Sequence, residues 1–132
     1  MFTKKNHADS TLPKTDNQYH LFIGRWQPLH DGHKAMFQQV LDTGGNILIA
    51  IRRTVKNEKN PYHSYEVEEM IIREYKELYF TGRVQIIVIP DIQSVNFGRG
   101  VGYDIVEWIP PEEIAMISAT KIREEMKANG QL

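Results

Sequence analysis

This chain contains three short, mainly hydrophobic runs separated by stretches with helical periodicity. The runs cover residues 19–23, 47–51 and 84–89, and such runs are typical of strands that are buried in a parallel sheet. Between them, residues 31–43 and 64–78 repeat apolar side chains every three or four positions, as amphipathic helices do. This order predicts a Rossmann-like α/β fold, an open parallel sheet with right-handed crossovers and helices on both faces.

Local capping signals predict where the two helices begin and end. Asp31 is a suitable N-cap for the first helix, and Gly44 and Gly45 are suitable stops because glycine accepts the left-handed backbone found there. Ser64 can cap the second helix, and Gly82 follows it. The side chains expected to face the core are Met36, Phe37, Val40 and Leu41 in the first helix and Val67, Met70, Ile71, Tyr75 and Leu78 in the second.

The last third of the chain has a less regular pattern. Residues 90–103 are predicted to form a glycine-rich loop, residues 104–109 a short strand or helix, and residues 115–117 a last short strand. A final helix is predicted over residues 118–129, with Gly130 as its stop.

Length and composition favour one small domain. A chain of 132 residues can bury one core but not two, and no apolar run is long enough to cross a bilayer. Residues 19–132 are expected to form this compact domain, whereas residues 1–18 are polar and aperiodic and are predicted to be a flexible arm. The arm lacks the apolar segment of a secretory signal and the chain has no cysteine, so a cytoplasmic location is expected.

The charge balance limits the classes of ligand. Sixteen basic and seventeen acidic residues give a formal net charge of -1, which creates no field that would attract nucleic acid or a membrane surface. Neither is therefore expected as a partner, and an anionic ligand would have to be bound by a local group of residues. Homo-oligomer formation stays open. The absence of cysteine also excludes thiolate nucleophiles and cysteine metal sites.

The loop after the first strand carries the densest group of chemically active residues, Gly24-Arg25-Trp26-Gln27-Pro28-Leu29-His30-Asp31-Gly32-His33. In an open parallel sheet, ligands bind at the carboxyl ends of the strands, and a helix N-terminus attracts anions. Gly24 would let the backbone approach a phosphate, and Gly32 would keep the helix start accessible. His30 and His33 lie three positions apart and can point the same way. The pattern predicts a phosphate-binding site.

Other interpretations of these residues were weighed against a phosphate site. An ordinary polar turn would explain a single histidine, but not two histidines, an arginine and two glycines together. A zinc site could combine His30 and His33 with His63 or His20, although the chain has no HExxH pattern. Residues 98–102 only superficially resemble a dinucleotide-binding loop, since they neither follow the first strand nor open a helix, and no Walker motif is present.

Two segments resemble motifs of one enzyme superfamily. His30-Asp31-Gly32-His33 resembles the HxGH signature of nucleotidylyltransferases, which are cytidylyltransferase-like proteins. The stretch from Gly24 to His30 is similar to the GRFQPxH variant of archaeal-type nicotinamide-nucleotide adenylyltransferases, with Trp26 where that family often has phenylalanine. Ile117 to Arg123 is similar to the ISxTxxR segment of the superfamily. Shorter matches are Asn60-Pro61-Tyr62 and Pro90-Asp91-Ile92.

The resemblance, which covers about residues 19–126, implies a nucleotidyltransferase. Such an enzyme transfers a nucleoside monophosphate, here AMP rather than CMP, from a nucleoside triphosphate to a phosphate-bearing small molecule and releases pyrophosphate. Magnesium is expected to arrive with the triphosphate, with no metal site made by protein alone. The alternatives are a CTP-dependent cytidylyltransferase acting on an alcohol or sugar phosphate and a nucleotide sensor without turnover. The stretch from Asp91 to Ser118 is shorter than in those adenylyltransferases, so the acceptor stays unidentified.

The resemblance also implies three groups of site residues. The catalytic candidates, His30, His33 and Arg123, would donate hydrogen bonds to the reacting phosphates. Nucleotide-binding candidates are Gly24, Arg25, Trp26, Gln27, Gly32, Ser118, Ala119 and Thr120. Weaker candidates for acceptor binding are Arg52, Asn60, Tyr62, Asp91, Arg99 and Tyr103.

Overall fold

A computed structural model describes residues 17–132 of the chain. Nearly all of the predicted N-terminal arm, residues 1–16, lies outside the described residues. No helix in the described part is long and apolar enough to span a membrane.

Three parallel strands form the centre of the molecule, β1 (Tyr19–Gly24), β2 (Asn46–Arg53) and β3 (Val84–Pro90). They are hydrogen-bonded in the order β1-β2-β3, so β2 is the central strand. Because all three run in the same direction, their carboxyl ends meet at one edge of the sheet. The prediction of a Rossmann-like parallel sheet is confirmed. The sheet and its helices form a single small domain.

Helices connect and follow the strands in the predicted order. The crossover from β1 to β2 contains α1 (Asp31–Asp42), and the crossover from β2 to β3 contains α2 (Ser64–Glu74) and the short α3 (Lys76–Phe80). The chain then continues to α4 (Glu112–Ala115) and α5 (Ala119–Ala128). The second crossover was predicted as one helix; the structure interrupts it at Tyr75, whose backbone leaves the helical region at φ −117 and ψ 33.

The core lies between one face of the sheet and the two crossover helices. The rings of Phe37 in α1 and Tyr75 after α2 are in contact, with centroids 6.1 Å apart, so both helices lie on the same side. Successive right-handed crossovers that advance in one direction place their helices on one face, and α1 and α2 therefore cover the same face of the sheet. The largest fully buried side chains are Phe37, Ile47, Ile49, Ile51, Val67, Ile71 and Val84.

The predicted inward faces of α1 and α2 are confirmed, but both predicted N-caps are wrong. All nine predicted inward side chains are buried or packed against the core. The cap of α1 is His30, whose backbone is extended, while Asp31 is exposed and pairs with Lys34 at 3.3 Å. The cap of α2 is His63, whose backbone N–H donates to the Glu66 carboxylate at 2.8 Å. In both helices the N-cap is the histidine directly before the predicted residue.

Strand β3 was predicted to be a buried strand, and for most of its length this is wrong. Only Val84 is fully buried, and Val88 is 37% exposed. The reason is topological, because β3 lies at the edge of the sheet and hydrogen-bonds to β2 alone among the described strands.

The segment after β3 also differs from the prediction. Residues 104–109 form neither a strand nor a helix, and the strand predicted over residues 115–117 is absent. Instead, the carbonyl of Pro111 accepts the N–H groups of Ile114 at 3.0 Å and Ala115 at 2.9 Å, which closes the turn of α4. Local hydrogen bonds satisfy this backbone without a neighbouring strand.

The last helix agrees with its prediction. The Ser118 hydroxyl accepts the backbone N–H of Lys121 at 3.1 Å, so Ser118 is the N-cap of α5. Gly130, with φ +75, follows the C-cap Asn129. Gly44 and Gly82 have the same left-handed backbone after α1 and α3. The helix ends before these three glycines therefore agree with the sequence prediction.

Trp26 closes the core beside the loop that follows β1. It is buried with a left-handed backbone at φ 54, and its indole Nε1–H donates to the carbonyl of Ala50 at 3.2 Å. The indole lies against Gly24 so closely that a Cβ there would be 2.8 Å from a ring carbon. The absence of a side chain at position 24 is thus a requirement of Trp26 packing.

The substitution Gly24→Ala is expected to lower the free energy of unfolding by about 1–3 kcal/mol, the usual cost of overpacking. The physical cause is overlap of the new methyl with the indole. The same substitution in a Trp26→Phe background should cost less, since the smaller ring removes the overlapping atoms. Denaturant unfolding of the four proteins gives the coupling energy. An equal loss in both backgrounds would show that the indole is not the obstacle.

Candidate active site

A cavity of about 270 Å³ opens at the carboxyl edge of the sheet. Its walls come from the end of β1 and the loop after it, from the end of β2 and the loop that follows, and from the N-terminal part of α5. It is lined by Gly24, Arg25, Trp26, Gln27, His33, Arg52, Lys59, Ala119 and Arg123. The cavity therefore brings together the two motifs that lie at opposite ends of the sequence.

His30 and His33 cap α1 reciprocally. The Nδ1 atom of His30 accepts the backbone N–H groups of Gly32 at 3.0 Å and His33 at 3.4 Å. The Nδ1 atom of His33 accepts the backbone N–H of His30 at 3.2 Å. Because Nδ1 is an acceptor in both rings, the proton of each neutral imidazole is assigned to Nε2. Each ring thus offers one Nε2–H donor beyond the cap.

Burial keeps this pair of imidazoles neutral. Burial, and to a smaller extent the neighbouring His30, lowers the pKa of His33 to about 3. Burial also lowers the pKa of His30, although Asp31 acts in the opposite direction. The two rings are stacked with centroids 3.6 Å apart, and the rings of Trp26 and His33 meet edge to face with centroids 4.8 Å apart. The orientation of His33 is thus set from two sides.

Gly32 serves the cap rather than access to the helix start. It is buried, and a Cβ at this position would lie 2.8 Å from Cε1 of His30. Any side chain here would push the His30 ring off the helix N-terminus. The spacing His-x-Gly-His therefore has a structural reason. The two histidines must be three positions apart to form the cap, and the residue before the second histidine must leave room for the ring of the first.

Gln27 joins three segments of the site. Its side chain pairs with the backbone of Tyr62, because Nε2 donates to the Tyr62 carbonyl and Oε1 accepts the Tyr62 N–H, both at 3.0 Å. Its own backbone carbonyl accepts Nη1 of Arg123 at 2.7 Å. Gln27 was predicted to bind nucleotide; it lines the cavity, but its buried amide is used to hold the neighbouring loop.

Arg123 reaches the cavity from α5, a helix with no fully buried residue. Besides its bond to Gln27, its guanidinium donates to the Thr120 hydroxyl at 3.3 Å. Two other residues of α5 make contacts. The Met126 sulfur accepts the Tyr62 hydroxyl at 3.8 Å, and the Lys127 ammonium donates to the Glu58 carboxylate. Thr120 thus orients Arg123 and is itself outside the cavity lining.

Arg52 and Asp91 form an ion pair at the carboxyl ends of β2 and β3. Nε and Nη2 of Arg52 lie 2.8 and 2.7 Å from one carboxylate oxygen of Asp91, which also accepts the N–H of Ile92 at 2.9 Å. Only Arg52 lines the cavity. Asp91 therefore holds Arg52 in place, and is not itself part of the wall.

Several other predicted residues do not line the cavity. His30, Gly32 and Ser118 adjoin it as helix caps or cap neighbours, while Asn60 and Tyr62 lie in the loop that supports it. Two more, Arg99 and Tyr103, are exposed in the irregular segment after β3 and are not brought to the cavity. The zinc interpretation has no support, since no group of three or more metal-ligating side chains occurs among residues 17–132.

Lys59 lines the cavity and was missed in the sequence. It lies in the polar loop after β2, directly before Asn60-Pro61-Tyr62. A signal was available, because the carboxyl end of β2 meets that of β1 at the same edge, so its loop had to approach the same site. Lysines in polar loops are common, however, and neither spacing nor periodicity distinguishes this one.

The lining of the cavity is strongly cationic. Four side chains, Arg25, Arg52, Lys59 and Arg123, are basic, and no lining side chain is acidic. Of these four, only Arg52 forms an ion pair within the described part of the chain. The beginning of α5 adds the partial positive charge of a helix N-terminus. The arrangement suits a ligand with several negative charges.

Comparisons with known proteins show a family and several enzymes to which the chain is similar. Residues 21–78 match the family model described as cytidylyltransferase-like. The nicotinamide-nucleotide adenylyltransferase of Pyrococcus horikoshii is 36% identical over 74 residues, which are 54% of this chain and 40% of that protein. Those of Methanococcus aeolicus and Thermococcus kodakarensis are 31% and 28% identical over 113 residues, 83% of this chain and 62% and 58% of theirs.

The chain spans about half the length of the curated relatives that it matches. Both the matched segment and the longer alignments include the loop after β1. The superfamily predicted from the two motifs is thereby confirmed. Residues 21–78 are similar to the cytidylyltransferase-like family, and archaeal nicotinamide-nucleotide adenylyltransferases are among the relatives of the chain.

Proposed function

We propose that this protein is an adenylyltransferase that joins AMP from ATP to a phosphorylated small molecule. The observation that carries the proposal is the meeting of His33 and Arg123 in one cationic cavity, although the two residues come from motifs at opposite ends of the chain. The names of the relatives support ATP as the nucleotide, and so does the Arg-Trp-Gln-Pro sequence of the loop after β1.

In the proposed reaction, an oxygen of the acceptor phosphate attacks the α-phosphorus of ATP. A new phosphorus–oxygen bond forms, the bond from the α-phosphorus to the bridging oxygen of the β-phosphate breaks, and pyrophosphate leaves with the electron pair. The nucleophile is already an anion, so no general base is required. The protein has to align two anions that repel each other and neutralise the charge that develops on the leaving group.

The side chains of the cavity fit these tasks. His30 and His33 would donate their Nε2–H groups to the oxygens of the triphosphate, since their Nδ1 atoms are used by the helix cap. Arg123 would neutralise the β- and γ-phosphates with the help of backbone N–H groups at the start of α5, where Ala119 lines the cavity. Neutral histidines suit this role, because they donate hydrogen bonds without transferring a proton.

The nucleotide would enter as its magnesium complex. Among residues 17–132 there is no cluster of carboxylates and histidines that could hold the ion, so phosphates and water would supply its ligands. Magnesium is in this sense part of the substrate.

The acceptor would approach from the side of β2 and β3. Arg52, held there by Asp91, is the basic group at that end of the cavity. The names of the relatives make nicotinamide mononucleotide the first acceptor to test. Between β3 and α5 the chain forms only the short α4, so other phosphomonoesters belong in the same panel.

Pyrophosphate release should be measured with ATP or CTP and a panel of phosphomonoesters that includes nicotinamide mononucleotide. ATP should turn over with at least one acceptor. His33→Ala and Arg123→Ala should each lower kcat by about 10²–10³, the usual effect of removing one donor to a developing charge. Arg73→Ala, which removes an exposed arginine of α2, is the matched control and should leave the rate unchanged.

Other outcomes of this experiment would contradict the proposal. If neither nucleotide turns over but both raise the melting temperature, the protein is a nucleotide-binding module. If CTP is used in preference to ATP, it is a cytidylyltransferase. Turnover of His33→Ala within a few-fold of the unaltered protein would remove His33 from the catalytic group.

The acid stability of the protein should depend on His33. Burial lowers its pKa to about 3 in the folded protein from the ordinary histidine value of 6.5, so between these values the unfolded chain binds more protons. Folding stability should therefore be fully present above pH 6.5 and decline as the pH falls. His33→Asn keeps an acceptor for the His30 N–H but cannot titrate. Between pH 7 and pH 5 the unaltered protein should lose about 1 kcal/mol more stability than this variant, allowing for partial exposure.

Urea unfolding of both proteins at the two pH values measures this difference. Parallel losses in the two proteins would mean that His33 does not cause the acid sensitivity.

A further inference from the structure

We propose that Lys59 binds the β- and γ-phosphates of the nucleotide, and so stabilises the pyrophosphate leaving group together with Arg123. This inference rests on the proposed function and assigns a phosphate contact to a residue outside both sequence motifs. The observations that carry it are the position of Lys59 in the cavity wall, the rigid turn that holds it, and its lack of an internal partner.

The turn over residues 57–60 fixes the backbone of Lys59. The side-chain oxygen of Asn57 accepts the backbone N–H groups of Lys59 and Asn60, both at 2.9 Å, and the Asn60 amide at 3.1 Å. The backbone N–H of Asn57 donates to the Asn60 carbonyl at 2.9 Å, which closes the turn. Asn60 is buried and anchors it. The Lys59 side chain is exposed, but it starts from a defined position.

This turn lies against α5, the helix that carries Arg123. Glu58, the residue before Lys59, pairs with Lys127 of α5 at 3.0 Å, and the Tyr62 hydroxyl contacts Met126 at 3.8 Å. Lys59 is therefore attached to the same side of the cavity as α5. Under the proposed function, that side receives the β- and γ-phosphates.

The ammonium group of Lys59 is available to a ligand. Within residues 17–132 it forms no ion pair, whereas Lys127 is occupied by Glu58. No acidic side chain lines the cavity, so a phosphate would meet no internal competitor. A lysine ammonium binds phosphate as a compact point charge and can follow the leaving group because its stem is flexible.

The test compares Lys59→Met with Lys56→Met, which removes an exposed lysine of the same loop that does not line the cavity. Binding of ATP, AMP and inorganic pyrophosphate, each with magnesium, is measured by calorimetry. Lys59→Met should weaken ATP and pyrophosphate binding about tenfold, the scale of one charge-assisted hydrogen bond, and AMP binding less than twofold. Lys56→Met should change none of these, and Lys59→Arg should restore most of the affinity. Thermal unfolding confirms that each variant is folded.

The outcomes separate this inference from the proposed function. Equal weakening of AMP and ATP binding would overturn the assignment to the β- and γ-phosphates. Equal losses of affinity in the Lys56 and Lys59 variants would overturn it as well, since they would indicate a general electrostatic effect of positive charge instead of a direct contact. If the selective loss is observed but no acceptor is adenylylated, the Lys59 contact stands and the proposed catalysis fails. If the unaltered protein binds neither ATP nor pyrophosphate, both fail.

Discussion

The hydrogen bond from Arg123 to the backbone carbonyl of Gln27, 2.7 Å long, joins two segments that are 96 positions apart in the chain. The position of α5 depends on contacts of this kind, because the helix buries none of its residues fully. Gln27 can support it because its own amide is paired with the backbone of Tyr62. One buried glutamine thus relates the loop after β1, the loop after β2 and the last helix.

The histidine pair shows how one motif can serve folding and chemistry at once. In each ring, one nitrogen closes the N-terminus of α1 and the other is left as a donor. Gly32 is needed because a side chain there would displace His30. The cap therefore fixes the tautomer that a phosphate-binding site requires, and burial keeps the pKa of His33 low enough for the ring to remain neutral.

The charges of the cavity come from other residues. Arg25, Arg52, Lys59 and Arg123 approach from different segments, and the sheet brings them together because parallel strands end at one edge. Neutral donors close to the helix and cations around the rim form an arrangement suited to a triphosphate. No carboxylate lines the cavity, and Asp91 holds Arg52 from outside the wall.

The sequence by itself determined the three strands, the two crossovers, the final helix and the superfamily, because hydrophobic periodicity, the capping serine Ser118 and contiguous motifs are local properties. Only the tertiary structure decided that His30 replaces Asp31 as the cap of α1, that β3 is half exposed at the sheet edge, and that residues 115–117 form no strand. It also revealed Lys59 in the cavity wall and the pairing of the Gln27 amide with the backbone of Tyr62. These outcomes depend on neighbours that are distant in the chain, and no local pattern records which neighbour a side chain will meet.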